Sequence, residues 1–333
     1  MRPRAFITGI AGQDGSYLAE LLLARGYDVH GTVRQEVSRD QLLLADYMRP
    51  LVERLTLHGV DLANPAQLAA AFAEVEPNEC YHLGGPSTVD SNISGSAAIF
   101  ATILGSTRAL LDQVRLKPRC RFFFAGTSEV FGVAVTSPQT EFSEARPRSI
   151  YGLAKLAAWD LIVQYRRRYD VFACTGILYN HESIRRPASF LPRKVTLSLA
   201  RIAAGRQSQL VLGNMDAQRD WGYAPDFVDA MWRVLQAEQP NDYVISTGRL
   251  HSVADLVDVA CRVLSLDRGQ CVMTDPNLYR PAEMVPLCGN SSRIQTSTGW
   301  RPSRSFESMI EEMVRLDFQR ESQSQLGADI ACS

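Results

Sequence analysis

In the stretch PRSIYGLAKLAAW, Tyr151 and Lys155 stand four residues apart. On a helix that spacing puts both side chains on one face. A tyrosine, with an ordinary pKa of about 10, takes up a proton near neutral pH only if something stabilises its phenolate. A lysine ammonium on the same face does so. Alone the pair is a weak signal, because two ordinary residues on a helix surface look the same. Upstream, AGTSEVFG closes an apolar run and offers the hydroxyls of Thr127 and Ser128 and the carboxylate of Glu129. Together these groups could move protons on a polar substrate; the plainer reading of the stretch is a polar turn closing a strand.

A second motif says what such groups would work beside. FITGIAGQDG sets Gly9, Gly12 and Gly15 three apart, after an apolar run and before a helical pattern. In that context Gly9 makes a tight turn, Gly12 lets the backbone approach a pyrophosphate, and Gly15 lets the helix pack on the sheet. The helix start supplies N–H groups for the phosphates, and Gln13 and Asp14 fall within the same candidate site. Glycine spacing by itself would also fit a plain turn. The next apolar run ends HGTVRQ, where an NAD site usually places an acid for the ribose 2′-hydroxyl. Arg34 stands there instead, and a guanidinium suits a 2′-phosphate, so NADP is expected; the alternative is a solvated surface arginine. Asp61 and Leu62 would lie near the adenine, Leu83 also falls at the cofactor, and Lys155 would hold the nicotinamide ribose.

The elements that must position these residues alternate. RAFITG, DVHGTV, LTLHGVDL, ECYHLGG and RFFFAGTS read as buried strands. Helical patterns cover 14–25, 64–75 (opened by Asn64-Pro65) and roughly 97–116. The alternation predicts an α/β, Rossmann-like, doubly wound parallel sheet. Beyond it come a helix at 150–169, the strand VFACTGIL, a helix near 189–204, QLVLG, FVDAMWRVLQA, DYVIST, a helix from Ser252 and a final helix near 305–317. We expect residues 1–180 to be mainly an NADP-binding domain. Residues 181–320 would be mainly a smaller substrate lobe interleaved with it, and 321–333 a polar, frayed tail. The formal net charge of -1 argues against nucleic acid as the main partner. Seven scattered cysteines without a C-x-x-C pair fit reduced thiols in the cytoplasm, with no metal site. Neither a signal peptide nor a membrane span is legible.

With these motifs in view, the chain resembles the extended short-chain dehydrogenase/reductases and, among the nucleotide-sugar dehydratases and epimerases, the GDP-mannose 4,6-dehydratase family. The resemblance covers about residues 3–318. Besides the motifs above it rests on GILYNHESIRRPASFLPRKV, LGNMDAQRDWGYAPDFVDAMW, STGRLHSV and YRPAE. NHES-x-RR and LGN-x-DA-x-RDWG are its most specific parts. It implies a lyase that uses NADP and returns it unchanged. Tyr151 would take the sugar C4 hydroxyl proton as hydride passes to NADP, Lys155 would tune that tyrosine, and Thr127 would bond the C4 oxygen. Glu129 would remove the C5 proton and help expel the C6 hydroxyl as water before the hydride returns to C6. Ser87, Ser128, Asn180, Lys194, Arg219, Arg280 and Glu283 would contact the nucleotide sugar, and His181 and Arg186 would lie near the cofactor.

The chain departs from that family in places. LGGPSTV, with Pro86 and Thr88, replaces LGAQSHV; VRQEVSRDQ keeps only Arg34 of an arginine pair and serine-rich loop; a helix-start tyrosine and the aspartate after YRP-x-E-x are missing. GDP-mannose is the favoured substrate. The rival reading is a GDP-sugar epimerase or 4-ketoreductase acting on a related hexose or heptose, whose chemistry needs no C5 base at Glu129. A catalytically silent NADP-binding protein is the rival of another class. The resemblance also implies a homodimer, or a homotetramer if the altered loop after Arg34 allows it. Ile99, Phe100, Ile103, Leu104, Leu110 and Leu111 recur at helical spacing and could serve both core and interface.

Overall fold

The apolar runs of the first half become buried strands, with the amphipathic stretches between them as helices. The computed structural model describes residues 2–43, 45–86, 96–279 and 285–331. In chain order the first half gives β1 (Arg4–Thr8), α1 (Gln13–Ala24), β2 (Asp28–Val33), α2 (Arg39–Leu43), α3 (Arg49–Val52), β3 (Thr56–Gly59) and α4 (Pro65–Val75). There follow β4 (Glu79–His82), α5 (Ser96–Phe100), α6 (Ser106–Leu116), β5 (Arg121–Ala125), α7 (Ile150–Tyr169) and β6 (Ala173–Leu178). The second half gives β7 (Asn180–Glu182), α8 (Leu191–Ala203), β8 (Leu210–Leu212), β9 (Gln218–Tyr223), α9 (Ala224–Gln236) and β10 (Asp242–Ile245). It closes with β11 (Leu250–Ser252), α10 (Val253–Leu264), α11 (Arg268–Cys271), β12 (Val272–Thr274), α12 (Ser292–Thr298) and α13 (Phe306–Ala331).

Among the described residues, seven strands form one sheet in the order β10-β6-β5-β4-β1-β2-β3, every pair parallel. This is the expected doubly wound arrangement, and it recruits β10 from the second half. The order reverses between β1 and β4, and the carboxyl ends of the strands at such a point are where ligands bind. Period-two alternation sorts the core onto the two faces. Ile7, Tyr81 and Phe123 point toward α1 and α9, with Leu18, Leu22, Phe227 and Met231. Phe6, Phe122 and Phe124 point toward α4, α6 and α7, with Phe72, Leu110 and Ile162. A third core, including Leu199, Trp221, Leu256 and Ile310, joins α8, α10 and α13 beside two small sheets, β11-β9-β7 and β12-β8.

Local chemistry sets the boundaries. Asn64 caps α4, its side-chain oxygen accepting from the Gln67 amide at 3.2 Å, with Pro65 in the first turn. The helix expected over 97–116 is broken by a π-helical turn at Ala101–Gly105. There Ser106 donates to the Thr102 carbonyl and lies 2.9 Å from His82 Nε2, while Thr107 donates to the Ile103 carbonyl at 2.7 Å. Side chains competing for helix carbonyls open the extra-residue turn. The last helix, expected to stop near 317, runs to Ala331. Its extension has no proline, and Glu321 bonds Arg201 at 3.1 Å and Arg206 at 2.7 Å, tying the added turns to the α8 end. The cysteines at 80, 120, 174, 261, 271 and 288 are free and buried.

Candidate active site

The glycine turn lies at the switch point. Gly9 has φ +72°, and a Cβ there would sit 2.8 Å from Gly84 Cα; a Cβ on Gly15 would sit 2.4 Å from the Gly9 carbonyl oxygen. The turn therefore packs backbone against backbone, as the glycine spacing requires. Gly12 is the N-cap of α1 and provides no side-chain cap. An uncapped helix start at the carboxyl edge of a parallel sheet fits a diphosphate, which would take the first-turn N–H groups. Arg34 follows β2 and is exposed; Asp61 is exposed, and Leu62 and Leu83 are half-buried.

Gln13 and Asp14 turn toward the second half of the chain. Gln13 Nε2 donates to the His181 carbonyl at 3.1 Å, and Ser183 donates to Gln13 Oε1 at 2.9 Å. Asp14 meets His181 Nε2 at 2.9 Å, while His181 Nδ1 lies 2.7 Å from the Tyr179 carbonyl and its ring stacks on Phe227 at 4.5 Å. Burial pushes the Asp14 carboxyl up, but His181, Gln13 and Arg186 outweigh it and its pKa is lowered. Burial pushes His181 down, but Asp14 outweighs it and its pKa is raised. Arg186 stacks on Phe190 at 3.7 Å and lies 3.4 Å from the Glu182 carboxylate.

Tyr151 and Lys155 share one face of α7, as their spacing predicts, beneath the ends of β5 and β6. Ser149 caps this helix, accepting from the Gly152 amide at 3.0 Å. Lys155 is buried, donates to the Ala125 carbonyl at 2.7 Å, and has its Nζ 5.8 Å from the Tyr151 ring centroid. Burial pushes its pKa down to about 8. Tyr151 is pushed up to about 12 by burial, against a hydrogen bond from Thr127 and the field of Arg186, with Glu129 adding to the rise. Thr127 caps the short 3-10 turn Ser128–Val130, so Glu129 projects from the start of a fixed turn.

Ser128, Glu129, Asn180 and Arg219 line one cleft together with Tyr179, Asp220 and Leu287. Lys194 instead donates to the Val211 carbonyl at 2.9 Å and is not among the residues lining that cleft. Ser87, Arg280 and Glu283 lie outside the described residues, as does Thr88. Among the described residues, no cluster of three or more histidines, cysteines or acids is arranged to hold a metal ion. Nor is any helix of theirs long and apolar enough to cross a membrane.

The sequence pattern of one family, GDP-mannose 4,6 dehydratase, matches residues 6–313. The chain belongs to that family. The GDP-mannose 4,6 dehydratase of Cricetulus griseus is 40% identical to it, over 95% of this chain and 92% of that protein. The GDP-mannose 4,6-dehydratase of Vibrio cholerae is 38% identical, over 95% and 94%. The fold is shared more widely: RMD from Pseudomonas aeruginosa, solved in complex with NADPH, superposes with a TM-score of 0.78 at 23% identity, covering 96% of this chain and 99% of that one. Membership in the dehydratase family agrees with the resemblance carried by NHESIRR and LGNMDAQRDWG.

Within this dehydratase-family site, sequence reasoning missed three residues. A Cβ on Gly152 would sit 2.8 Å from the Glu129 carbonyl oxygen, so this glycine lets α7 close on the turn bearing Glu129. Its signal was its place inside YGLAK. Tyr179 and Asp220 line the cleft from buried positions; each is next to a residue that was singled out, Asn180 and Arg219.

Proposed function

We propose that the chain is a nucleotide-sugar 4,6-dehydratase that converts GDP-mannose to GDP-4-keto-6-deoxy-mannose with NADP as a recycled cofactor. One observation carries this reading: the turn bearing Glu129 closes on Gly152, the neighbour of Tyr151, and Glu129 lines one small hollow with Asn180 and Arg219, so an acid sits beside the tyrosine–lysine pair. Residues 1–180 would mainly bind the cofactor, through Gly9, Gly12, Gln13, Asp14, Gly15, Asp61, Leu62, Leu83, Tyr151, Lys155, His181 and Arg186. Residues 181–320 would mainly hold the substrate.

When bound, the oxidised nicotinamide supplies a positively charged ring that accepts a hydride and later gives it back. The protein's part is proton handling. Tyr151 takes the C4 hydroxyl proton; in the free protein it is protonated, the Thr127 hydroxyl and the field of Arg186 favour its phenolate, and the Lys155 ammonium lies 5.8 Å from its ring centroid. Thr127 then bonds the C4 oxygen. A C4 ketone acidifies the C5 proton, which the Glu129 carboxylate removes and passes to the departing C6 hydroxyl; once C6 has its hydride, the proton held by Tyr151 goes back to C5, so every protein group ends as it began. A C4 epimerase or ketoreductase needs no acid in that place, which is why the dehydratase reading is preferred to it. Asn180, Ser128 and Arg219 would bind the sugar and diphosphate.

Incubation with GDP-mannose tests the reading. We expect a product lighter by one water, with the cofactor still oxidised at the end. A product of unchanged mass, or net consumption of reduced cofactor, would favour the epimerase or ketoreductase. NADP should bind at least about tenfold more tightly than NAD, since a charge-assisted bond to phosphate is worth roughly 1.5–3 kcal/mol. Arg34→Ala should remove most of that preference; equal affinity for both cofactors in the unaltered protein would contradict it.

A further inference from the structure

Asp220 is 1% exposed, and the leading influences on its carboxyl are burial and hydrogen bonds rather than a cationic side chain. Its carboxylate is instead filled by backbone N–H groups from two separate loops. Oδ1 accepts from the Thr247 amide at 3.0 Å and from the Thr247 hydroxyl at 2.5 Å. Oδ2 accepts from the Gly248 amide at 2.9 Å and the Gly289 amide at 3.2 Å. One side chain of β9 therefore fixes the turn between β10 and β11 and the strand-like segment around Gly289.

That segment is held from its other side by Gln139. The two exchange backbone bonds, Gln139 N to the Cys288 carbonyl at 2.7 Å and Asn290 N to the Gln139 carbonyl at 2.8 Å. Gln139 Oε1 also accepts from the Cys288 amide at 2.9 Å and from the Tyr179 hydroxyl at 2.8 Å. The chain thus makes a closed circuit, from Asp220 to Gly289, through Cys288 and Gln139 to Tyr179, and so to Asn180, which pairs with Trp221 next to Asp220. Residues on that circuit or beside it, Tyr179, Asn180, Arg219, Asp220 and Leu287, are those that face Ser128 and Glu129 across the cleft. The proton-handling groups stand on α7 and on the turn that follows β5, outside the circuit.

We propose that Asp220 is a positioning residue for the nucleotide sugar: it holds the wall bearing Arg219 and Leu287 in register with Glu129, and so sets substrate affinity without touching the chemical step. The proposal rests on the nucleotide-sugar reading above. A carboxylate is needed because it accepts on both oxygens; an asparagine would aim an NH₂ group at one pair of buried N–H donors.

The test is Asp220→Asn in the full chain, read by titration calorimetry with GDP and with NADP, by steady-state rates with GDP-mannose, and by amide hydrogen exchange. We expect the GDP Kd and the GDP-mannose KM to rise about tenfold or more, because buried donors are left unpaired. The kcat should stay within about threefold and the NADP Kd within about twofold, with exchange quickening at Thr247, Gly248 and Gly289. Unchanged GDP affinity, or equal losses of GDP and NADP affinity, would overturn the proposal. Thr247→Val keeps the carboxylate and removes one of its donors, along with the acceptor of the Arg249 amide; it should weaken GDP binding about two- to fivefold. If Asp220→Asn does not fold, this second variant decides, and no change in its GDP Kd would overturn the proposal. A wild-type chain that neither binds GDP nor turns over GDP-mannose would instead contradict the nucleotide-sugar reading itself.

Discussion

Lys155 donates to the Ala125 carbonyl from a site 5% exposed, where burial lowers its pKa from 10.5 to about 8. Between those values the unfolded chain holds the proton and the folded chain does not, so stability rises with pH across that window. Below pH 8 the whole penalty of burying the charge is present. Lys155→Met should therefore stabilise the fold at pH 7 by up to about 3 kcal/mol, less roughly 1 kcal/mol for the carbonyl left without its donor. The advantage should fade toward pH 10, while turnover falls roughly 10²–10⁴-fold. Thermal unfolding of both proteins across that range checks it, and a variant less stable at pH 7 would contradict it. At this scale the sequence was informative because chemistry restricts residue type: Tyr151, Lys155 and Glu129 could be singled out from spacing and company. Asp220 could not, since its role depends on N–H groups from residues 247, 248 and 289, distant along the chain.

Between α1 and β7 the two halves of the chain meet through polar side chains. Besides the bonds of Gln13 and Asp14, Arg185 donates to Ser16 at 3.1 Å and Glu20 at 2.5 Å and stacks on Tyr17 at 3.7 Å. The Asp14–His181 pair has a defined pH window. His181 is raised above 6.5, so its contribution is present below that value and lost as pH climbs through the raised pKa. Asp14 is lowered below 3.8, so its contribution is present above that value and lost as pH falls through the lowered pKa. Asp14→Asn should cost roughly 1.5–3 kcal/mol between about pH 4 and 6.5, shrinking at higher pH. Denaturation at pH 6 and pH 9 measures it; a gap that is constant or larger at pH 9 would rule the pair out as the source. The long apolar strands and capped helices were legible because periodicity and caps act locally. The three-residue β7 and the polar β9, QRDWGY, were not: they are strands because β9 lies between β11 and β7, a tertiary fact. The π turn likewise needs His82, brought to Ser106 by the sheet.

The whole molecule interleaves its halves, with β10 closing the large sheet beside β6. The segment after Arg34, which departs from the family pattern, folds on its own chain. Leu42, Met48, Leu51 and Val52 form a small core, and the Tyr47 hydroxyl donates to the Ala11 carbonyl in the glycine turn at 3.2 Å. On another face, α7 leaves Leu153 45% exposed and Tyr169 44% exposed. In the neighbouring helical run, Ile103, Leu110 and Leu111 are buried in the core, while Ile99, Phe100 and Leu104 are only half-buried. That split suits the double use expected of the helix, and a homodimer through these helices is the predicted assembly. Light scattering at micromolar concentration should give a dimer, and Leu153→Glu should weaken it; a monomeric wild-type protein would contradict this. The packing of Leu42, Met48, Leu51 and Val52 was not legible in the sequence, because it depends on partners as far off in the chain as Ala11 and Leu23.

The central claim is that Glu129 performs the elimination after Tyr151 and Lys155 have enabled oxidation at C4. Glu129→Gln keeps the size of the side chain and removes its ability to take a proton. Mixed with NADP and GDP-mannose, this variant should accumulate the absorbance of reduced cofactor while dehydrated product forms roughly 10²–10⁴-fold more slowly. Release of 4-keto-6-deoxy sugar at near the wild-type rate, with no reduced cofactor building up, would contradict the account.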